Sequence, residues 1–289
     1  MARRYDTVTF LSDLGSSDES VGVVKAVIRD IAPHAQVIDL SHDVPVFDVR
    51  AGSLALARAI SYLPSGVVLG VVDPGVGTSR KAVAIEVADG EAVLVGPDNG
   101  LLAPAVAMAG GAGRSVVLTA EQFHLGAPGR TFAGRDVFAP VVAHLCNGVD
   151  LLELGEPTDA DLLVPGLVPL PRDEAGMLVC EVLWVDRFGN CQLNVGPDEI
   201  AHLGDRIRVT AGDPAAPIVR VAACVGPYAE VGVGAVGLVA DAHGMSSLVL
   251  DRRSAADELG LAAGDQVTLA PLGDDAPVGV TTQITLRRS

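Results

Sequence analysis

Aromatic residues are scarce in this chain of 289 residues: one Trp, three Tyr and six Phe, 3% of the total against 49% hydrophobic residues. Any core must therefore be filled mainly by Val, Ala and Leu. Basic residues are also in short supply. Twenty Lys and Arg face 36 Asp and Glu, a net charge of −16, which argues against a nucleic-acid backbone or an anionic membrane as partner. No apolar run is long enough to cross a bilayer. The four cysteines, Cys146, Cys180, Cys191 and Cys224, include no CxxC pair. That scatter suits reduced thiols better than a disulfide frame or a zinc site. The six histidines form no HxH or HExxH pattern. A metal site assembled from distant residues such as Asp13, His42 and Asp73 thus has no motif behind it. A G-x-S-x-G elbow is missing, which disfavours a serine hydrolase. The glycine cluster at 110–113 lacks a following GK[ST] and reads as a loop, not a phosphate cradle. Residues 1–6 lack the apolar core and cleavage site of a secretory signal. A cytoplasmic protein is the expectation.

What is present is an alternation of strands and helices. Residues 7–11, 37–40 and 67–72 read as strands, 81–87 and 91–95 as a hairpin around Ala88-Asp89-Gly90, and 116–118 as a further strand. Helical spacing covers 21–31, 49–63, a segment from Leu101, and 136–145, where Asp136 is placed as cap with Pro140 tolerated in the first turn. This predicts a layered α/β domain with a mainly parallel sheet over residues 1–165. Pro157, Pro165, Pro169 and Pro171 mark a linker. Beyond it short β-rich runs separated by Gly and Pro predict a smaller β-barrel-like domain over 166–289.

Four stretches can carry chemistry. The apolar run 67–72 breaks into Asp73-Pro74-Gly75-Val76-Gly77, with Arg80 one turn later. A carboxylate and a guanidinium at a strand's carboxyl end, where open α/β sheets bind ligands, can hold a small nucleophile. The alternative is a capping turn with a surface arginine. Ser12-Asp13-Leu14-Gly15 places a carboxylate after the first strand, where it can accept a ribose diol or simply make an Asx turn. Asp18 and Ser20 sit at a helix start, fit to cap it or to receive an ammonium group. Asp186-Arg187-Phe188-Gly189-Asn190 offers a carboxylate, an aromatic face and an amide that can read a purine edge. The alternative there is a tight turn with Phe188 in the core.

Taken together, these stretches resemble the S-adenosyl-L-methionine hydrolases, the hydroxide adenosyltransferases related to the fluorinase and chlorinase. The likeness spans nearly the whole chain. It adds Gly96-Pro97-Asp98-Asn99-Gly100 and the segment 131–140 to the motifs already named. The resemblance implies a two-domain homotrimer that splits S-adenosyl-L-methionine into adenosine and L-methionine, with no separate cofactor and no metal. The substrate would lie between the first domain of one subunit and the second domain of the next. Asp13 would hold the ribose diol, with Phe47 on the ribose side. Asp18, Ser20 and Asp186 would take the methionine end, and Phe188 and Asn190 the adenine region. Asp73 and Arg80 match two members of the family's Asp-Arg-His triad around the attacking water.

The third member is changed. The family's TFHGRD reads Thr131-Phe132-Ala133-Gly134-Arg135-Asp136 here, with Ala133 at the histidine position. It is either natural divergence or a substitution that disables the enzyme, and the fit of its neighbours favours the second. Near 241–248 the family's serine and glutamate are replaced by Ala242 and Ser247, with Ser247 retained as a substrate contact. Two further readings follow from the resemblance. A halogenase carries a tyrosine where this chain has Asp73, whose carboxylate repels halide, and Gly134 offers no hydroxyl to one. A non-catalytic binder of S-adenosyl-L-methionine or adenosine is motivated by Ala133 alone.

Overall fold

Seven strands build the first unit: β1 (Thr7–Ser12), β2 (Gln36–Ser41), β3 (Gly66–Val71), β4 (Ala82–Val87), β5 (Ala92–Pro97), β6 (Ser115–Val117) and β7 (Glu156–Pro157). In this computed structural model, which describes residues 4–272, they form one mixed sheet in the order β2-β1-β3-β5-β4-β6-β7. The half β2-β1-β3-β5 is parallel, as the strand-helix alternation requires, and β4, β6 and β7 join antiparallel. All six residues of β3 are buried. Their side chains alternate between two cores, with Val67, Leu69 and Val71 in one and Val68 in the other. The helices α1 (Ser20–Ile31) and α4 (Ala139–Cys146) supply the first core. The opposite core takes α2 (Val49–Ala59) and α3 (Ala103–Met108). The unbroken apolar run before Asp73 is thus the covered central strand that its pattern implies.

Two helices differ from the sequence reading. The segment 49–63 is α2 followed by a single 3-10 turn, Ile60–Tyr62, because Pro64 restricts the residue before it and halts the α-helix. The segment 136–145 opens as a π-turn over Gly134–Phe138 before α4 begins. Pro140 has no N–H for the Asp136 carbonyl, which accepts from the Leu125 amide at 2.8 Å instead. Asp136 makes no capping hydrogen bond. Its side chain is buried in an ion pair with Arg135, so the expected cap is corrected to a pairing role.

The chain divides between Val168 and Pro169. The second unit holds β8 (Arg172–Glu174), β9 (Met177–Val185), β10 (Cys191–Leu193), β11 (Arg206–Ala211), β12 (Ile218–Cys224), β13 (Val236–Ala240), β14 (Ser246–Leu250) and β15 (Gln266–Pro271). Pairing of β10 with both β14 and β9 closes seven of these into a β-barrel, and β8 flanks β9 outside the ring. Short helices α5 (Pro197–Ile200) and α6 (Ala255–Leu259) bury Ile200 and Leu259 in its core. Closure leaves the ring without an unpaired edge, which suits a sequence of short strands poor in aromatics. Strands β8, β10 and β14 escape the sequence pattern, since three residues show no period and Ser246-Ser247 opens β14 with hydroxyls.

The parallel half is packed backbone to backbone. A Cβ on Gly96 of β5 would sit 2.5 Å from the Gly70 carbonyl oxygen of β3. Gly96→Ala is therefore expected to destabilise the first unit by about 1–3 kcal/mol, read as a lowered midpoint in denaturant. An unchanged midpoint would show that the strands separate freely.

Candidate active site

Strand β3 ends at Val71, and Asp73 follows at the parallel sheet's carboxyl edge. Gly77, at φ +80°, allows the turn that brings Arg80 back over it. A Cβ at Gly77 would also lie 3.0 Å from the Arg130 carbonyl oxygen. Arg80 Nη2 donates to Asp73 Oδ2 and Nη1 to the Lys81 carbonyl. The two side chains are only 5% (Asp73) and 13% (Arg80) exposed. The Arg80 guanidinium also lies 5.9 Å from the centre of the Phe138 ring, a cation-π contact that fixes its plane. The reading of Arg80 as a loose surface charge is excluded by this burial.

The pair is not saturated. Asp73 Oδ1 and Arg80 Nε are buried and have no hydrogen-bond partner among the described residues. Buried polar groups left unpaired are costly in a purely structural ion pair and point to a ligand or solvent molecule as partner. Burial pushes the Asp73 carboxyl above the usual range, Arg80 and the nearby Gly75 N–H oppose the rise, and the Asp13 carboxylate adds to it. Asp73 therefore holds a proton more readily than an ordinary aspartate.

Asp13 stands beside this pair because β1 and β3 are parallel neighbours, with Ser12 opposite Val71. The Asp13 amide donates to the Val71 carbonyl at 3.3 Å. Asp13 Oδ2 accepts from the Phe47 amide at 2.9 Å. Phe47, 69% exposed, adopts φ +66°, a left-handed conformation rare for a bulky residue and typical of functional loops. Asn99, in the loop after β5, donates to the Val72 carbonyl at 2.9 Å and braces the Asp73 turn from the other side. Asp18 is fully exposed, and its carboxyl is held below the usual range by the Ser20 amide, which donates to it at 2.9 Å. Ser20 is the first residue of α1. Ala133 precedes the π-turn, half-buried against the first core, and Gly134 next to it lies against Phe132 and Val71. The segment of Ala133 thus meets the end of the strand that carries Asp73.

In the second unit, the turn after β9 is held by its own side chains. Asp186 Oδ1 accepts from the Phe188 and Asn190 amides at 2.8 and 2.9 Å, and Oδ2 from Asn190 Nδ2 at 2.7 Å. Gly189 has φ +83°, and a Cβ there would meet Ser254 Oγ at 2.2 Å, so the turn is clamped against the start of α6. Phe188 is 78% exposed on this rigid turn, so the core position considered for it is corrected. Ser247 is buried and donates to Asp241 Oδ2 at 3.0 Å. Asp241 also accepts from Gln192 Nε2 at 2.6 Å and from the His243 and Met245 amides. Gln192 and Asn99 carry no individual signal in the sequence because each is a common residue whose partner lies 49 or 27 positions away, and Asp241, bonded mostly to residues two to six positions on, reads only as a local turn. Among the described residues, no group of three or more His, Cys, Asp or Glu is placed to hold a metal ion.

Fold and site define a two-domain protein in which an α/β unit presents paired acidic groups at strand ends and a β-barrel presents an exposed aromatic turn. The chain matches the SAM hydroxide adenosyltransferase N-terminal domain over residues 8–155 and the C-terminal domain over residues 180–268, and it belongs to that family. It is 41% identical over 261 residues to the (R)-S-adenosyl-L-methionine hydrolase of Salinispora tropica, covering 90% of this chain and 96% of that protein. A fluorinase of an Actinoplanes species is 26% identical over 226 residues, 68% of this chain and 74% of the fluorinase. A crystal structure of an uncharacterized conserved protein from Thermotoga maritima superposes with a TM-score of 0.82 at 33% identity, covering 91% of this chain and 99% of that one.

The Asp73 carboxyl should titrate above the ordinary value of about 3.9 when followed by carbon NMR. Arg80→Met should move it further up, because the opposing positive charge is removed while burial stays. A downward shift in that variant would contradict the arrangement described.

Proposed function

We propose that this protein hydrolyses S-adenosyl-L-methionine to adenosine and L-methionine by in-line attack of water on the ribose C5′. The observation that carries this reading is the buried, incompletely paired Asp73–Arg80 couple at the end of β3, in a chain whose relatives of 41% and 37% identity are named for this hydrolysis. The sulfonium leaves as a neutral thioether, so the departing methionine needs no acid. The barrier lies in orienting a poor nucleophile behind C5′ and taking its proton. Asp73, with its raised proton affinity, serves as anchor and proton acceptor. Arg80 favours hydroxide character in the bound water.

Asp13 takes the ribose diol through the carboxylate capacity that the Phe47 amide leaves unused. Phe47 covers the ribose side. Asp18 and Ser20 take the ammonium and carboxylate of the methionine end together with Asp186. Phe188 gives the adenine a stacking face and Asn190 an amide. Ser247 acts through Asp241, to which its hydroxyl is bonded. The working form is a homotrimer in the cytoplasm, with each substrate held by the first domain of one subunit and the second domain of the next. No cofactor is required. Halide chemistry is disfavoured, since an anion would have to approach the Asp73 carboxylate, with Asp13 adding to the negative field.

Incubation with S-adenosyl-L-methionine should release adenosine and methionine in equal amounts, and added chloride should yield no chlorinated nucleoside. Asp73→Asn should lower turnover by about 10²–10⁴-fold, the range of a positioned general base, with adenosine binding retained. Ala133→His should raise turnover toward that of a complete triad. Tight binding with no gain in Ala133→His would remove the triad from the mechanism, and a chlorinated product would favour the halogenase reading.

A further inference from the structure

A chain of polar side chains runs from the surface of α1 to the residue beside Asp13. Lys25 Nζ on α1 lies 2.8 Å from Asp39 Oδ2, near the end of β2. Asp39 Oδ1 is 3.1 Å from His42 Nε2, and His42 Nδ1 is 2.8 Å from Ser12 Oγ. Ser12 is fully buried as the last residue of β1, which rules it out as a nucleophile despite the Ser-His-Asp order. The His42 side chain is largely buried, 10% exposed, with its ring edge-on to Phe10 at 4.6 Å between centroids.

The hydrogen-bond roles follow from the acceptors. A carboxylate only accepts, so His42 Nε2 carries the proton and donates to Asp39. In the neutral ring Nδ1 then accepts, and the Ser12 hydroxyl must donate to it. That leaves the Ser12 oxygen to accept from the Leu14 amide at 3.4 Å. The same two loops are joined by the Gly15 amide donating to the His42 carbonyl at 2.8 Å and the Val44 amide to the Ser12 carbonyl at 3.4 Å. Asp13 lies between Ser12 and Leu14, and the only side-chain bond it makes among the described hydrogen bonds comes from Phe47, five residues after His42.

We propose that His42 is a positioning residue for diol recognition: through Ser12 it sets the direction of the Asp13 carboxylate and couples it to the Phe47 loop. The proposal rests on the assignment of Asp13 to the ribose. His42 touches no substrate atom. Its consequence is selective, because a misaligned Asp13 weakens the ribose hydroxyl contacts and leaves adenine and methionine contacts in place.

The test is calorimetric binding of adenosine and of 2′,3′-dideoxyadenosine to the full-length protein. Wild type should prefer adenosine. In His42→Ala that preference should fall by roughly ten-fold, about the loss of one good hydrogen bond, through weaker adenosine binding with the dideoxy affinity unchanged. His42→Asn, whose side-chain oxygen can take the place of Nδ1 toward Ser12, should restore most of the preference. His42→Gln, which reaches Asp39 but not Ser12, should not. Ser12→Ala, a minimal change, should reproduce the His42→Ala result if the latter folds poorly. Equal weakening of both nucleosides, or an undiminished preference in both His42→Ala and Ser12→Ala, would overturn the positioning role. A wild type that binds neither nucleoside would instead overturn the assignment of the site itself, and this proposal with it.

Discussion

A carboxylate withdrawn from water against a single guanidinium is the constraint on which the first unit is arranged. Asp73 and Arg80 are both largely buried. Such a pair gains little net stability, because desolvation of two ions offsets most of their attraction. Here it is further weakened by two unpartnered atoms. Stability alone gives little reason for this arrangement, which is why the proposed function rests on it. The surrounding structure supplies what the pair lacks. Phe138 lies under the guanidinium, Asn99 ties down the strand end, and the Gly77 turn rests against the backbone of Arg130.

The parallel strands give these contacts their common origin. β1, β3 and β5 run the same way, so the loops holding Asp13, Asp73 and Asn99 all emerge at one edge of the sheet. Each loop then bonds to its neighbour's strand end: Asp13 to Val71, Asn99 to Val72. The second unit uses a different device. Its aromatic turn is short and self-bonded through Asp186, and Gly189 lets it press on α6. Rigidity there comes from a few local bonds, which suits a barrel whose strands average only a handful of residues.

Much of this is legible in the sequence wherever the signal is local. The run before Asp73 announces a covered strand, and the Asp-Pro-Gly break announces its end. Asp73, Arg80 and Asp13 each admit two readings from their turns alone, and it is the resemblance to the hydrolase family that selects them as site candidates; the structure adds that Asp73 and Arg80 are buried together. The bracing residues are not legible in the sequence. Asn99 and His42 matter through partners 27 and 30 residues away, and sequence spacing carries no information about such pairs. Phe188 is ambiguous in the sequence, since aromatic residues often pack in a core, and its exposure on the closed turn removes the core alternative. Asp136 misleads because its position before a helix suggests a cap, whereas Pro140 changes the helix register and Arg135 takes the carboxylate.

The electrostatics of the first unit are asymmetric in a way that fits one class of reaction. Hydrolysis of most bonds needs a base for water and an acid for the leaving group, and sites for it hold two titratable groups with pKa values pushed apart. Around Asp73 the described interactions offer one raised carboxyl, a permanently charged arginine and a second carboxylate that deepens the negative field. Such a site is poor at expelling an alkoxide or an amine. On the role proposed for Asp73, it is well matched to a positively charged substrate whose leaving group departs neutral, because the negative field attracts the cation and no acid is needed for the departing group. A sulfonium meets both conditions, and the overall excess of acidic residues works in the same direction by favouring its approach.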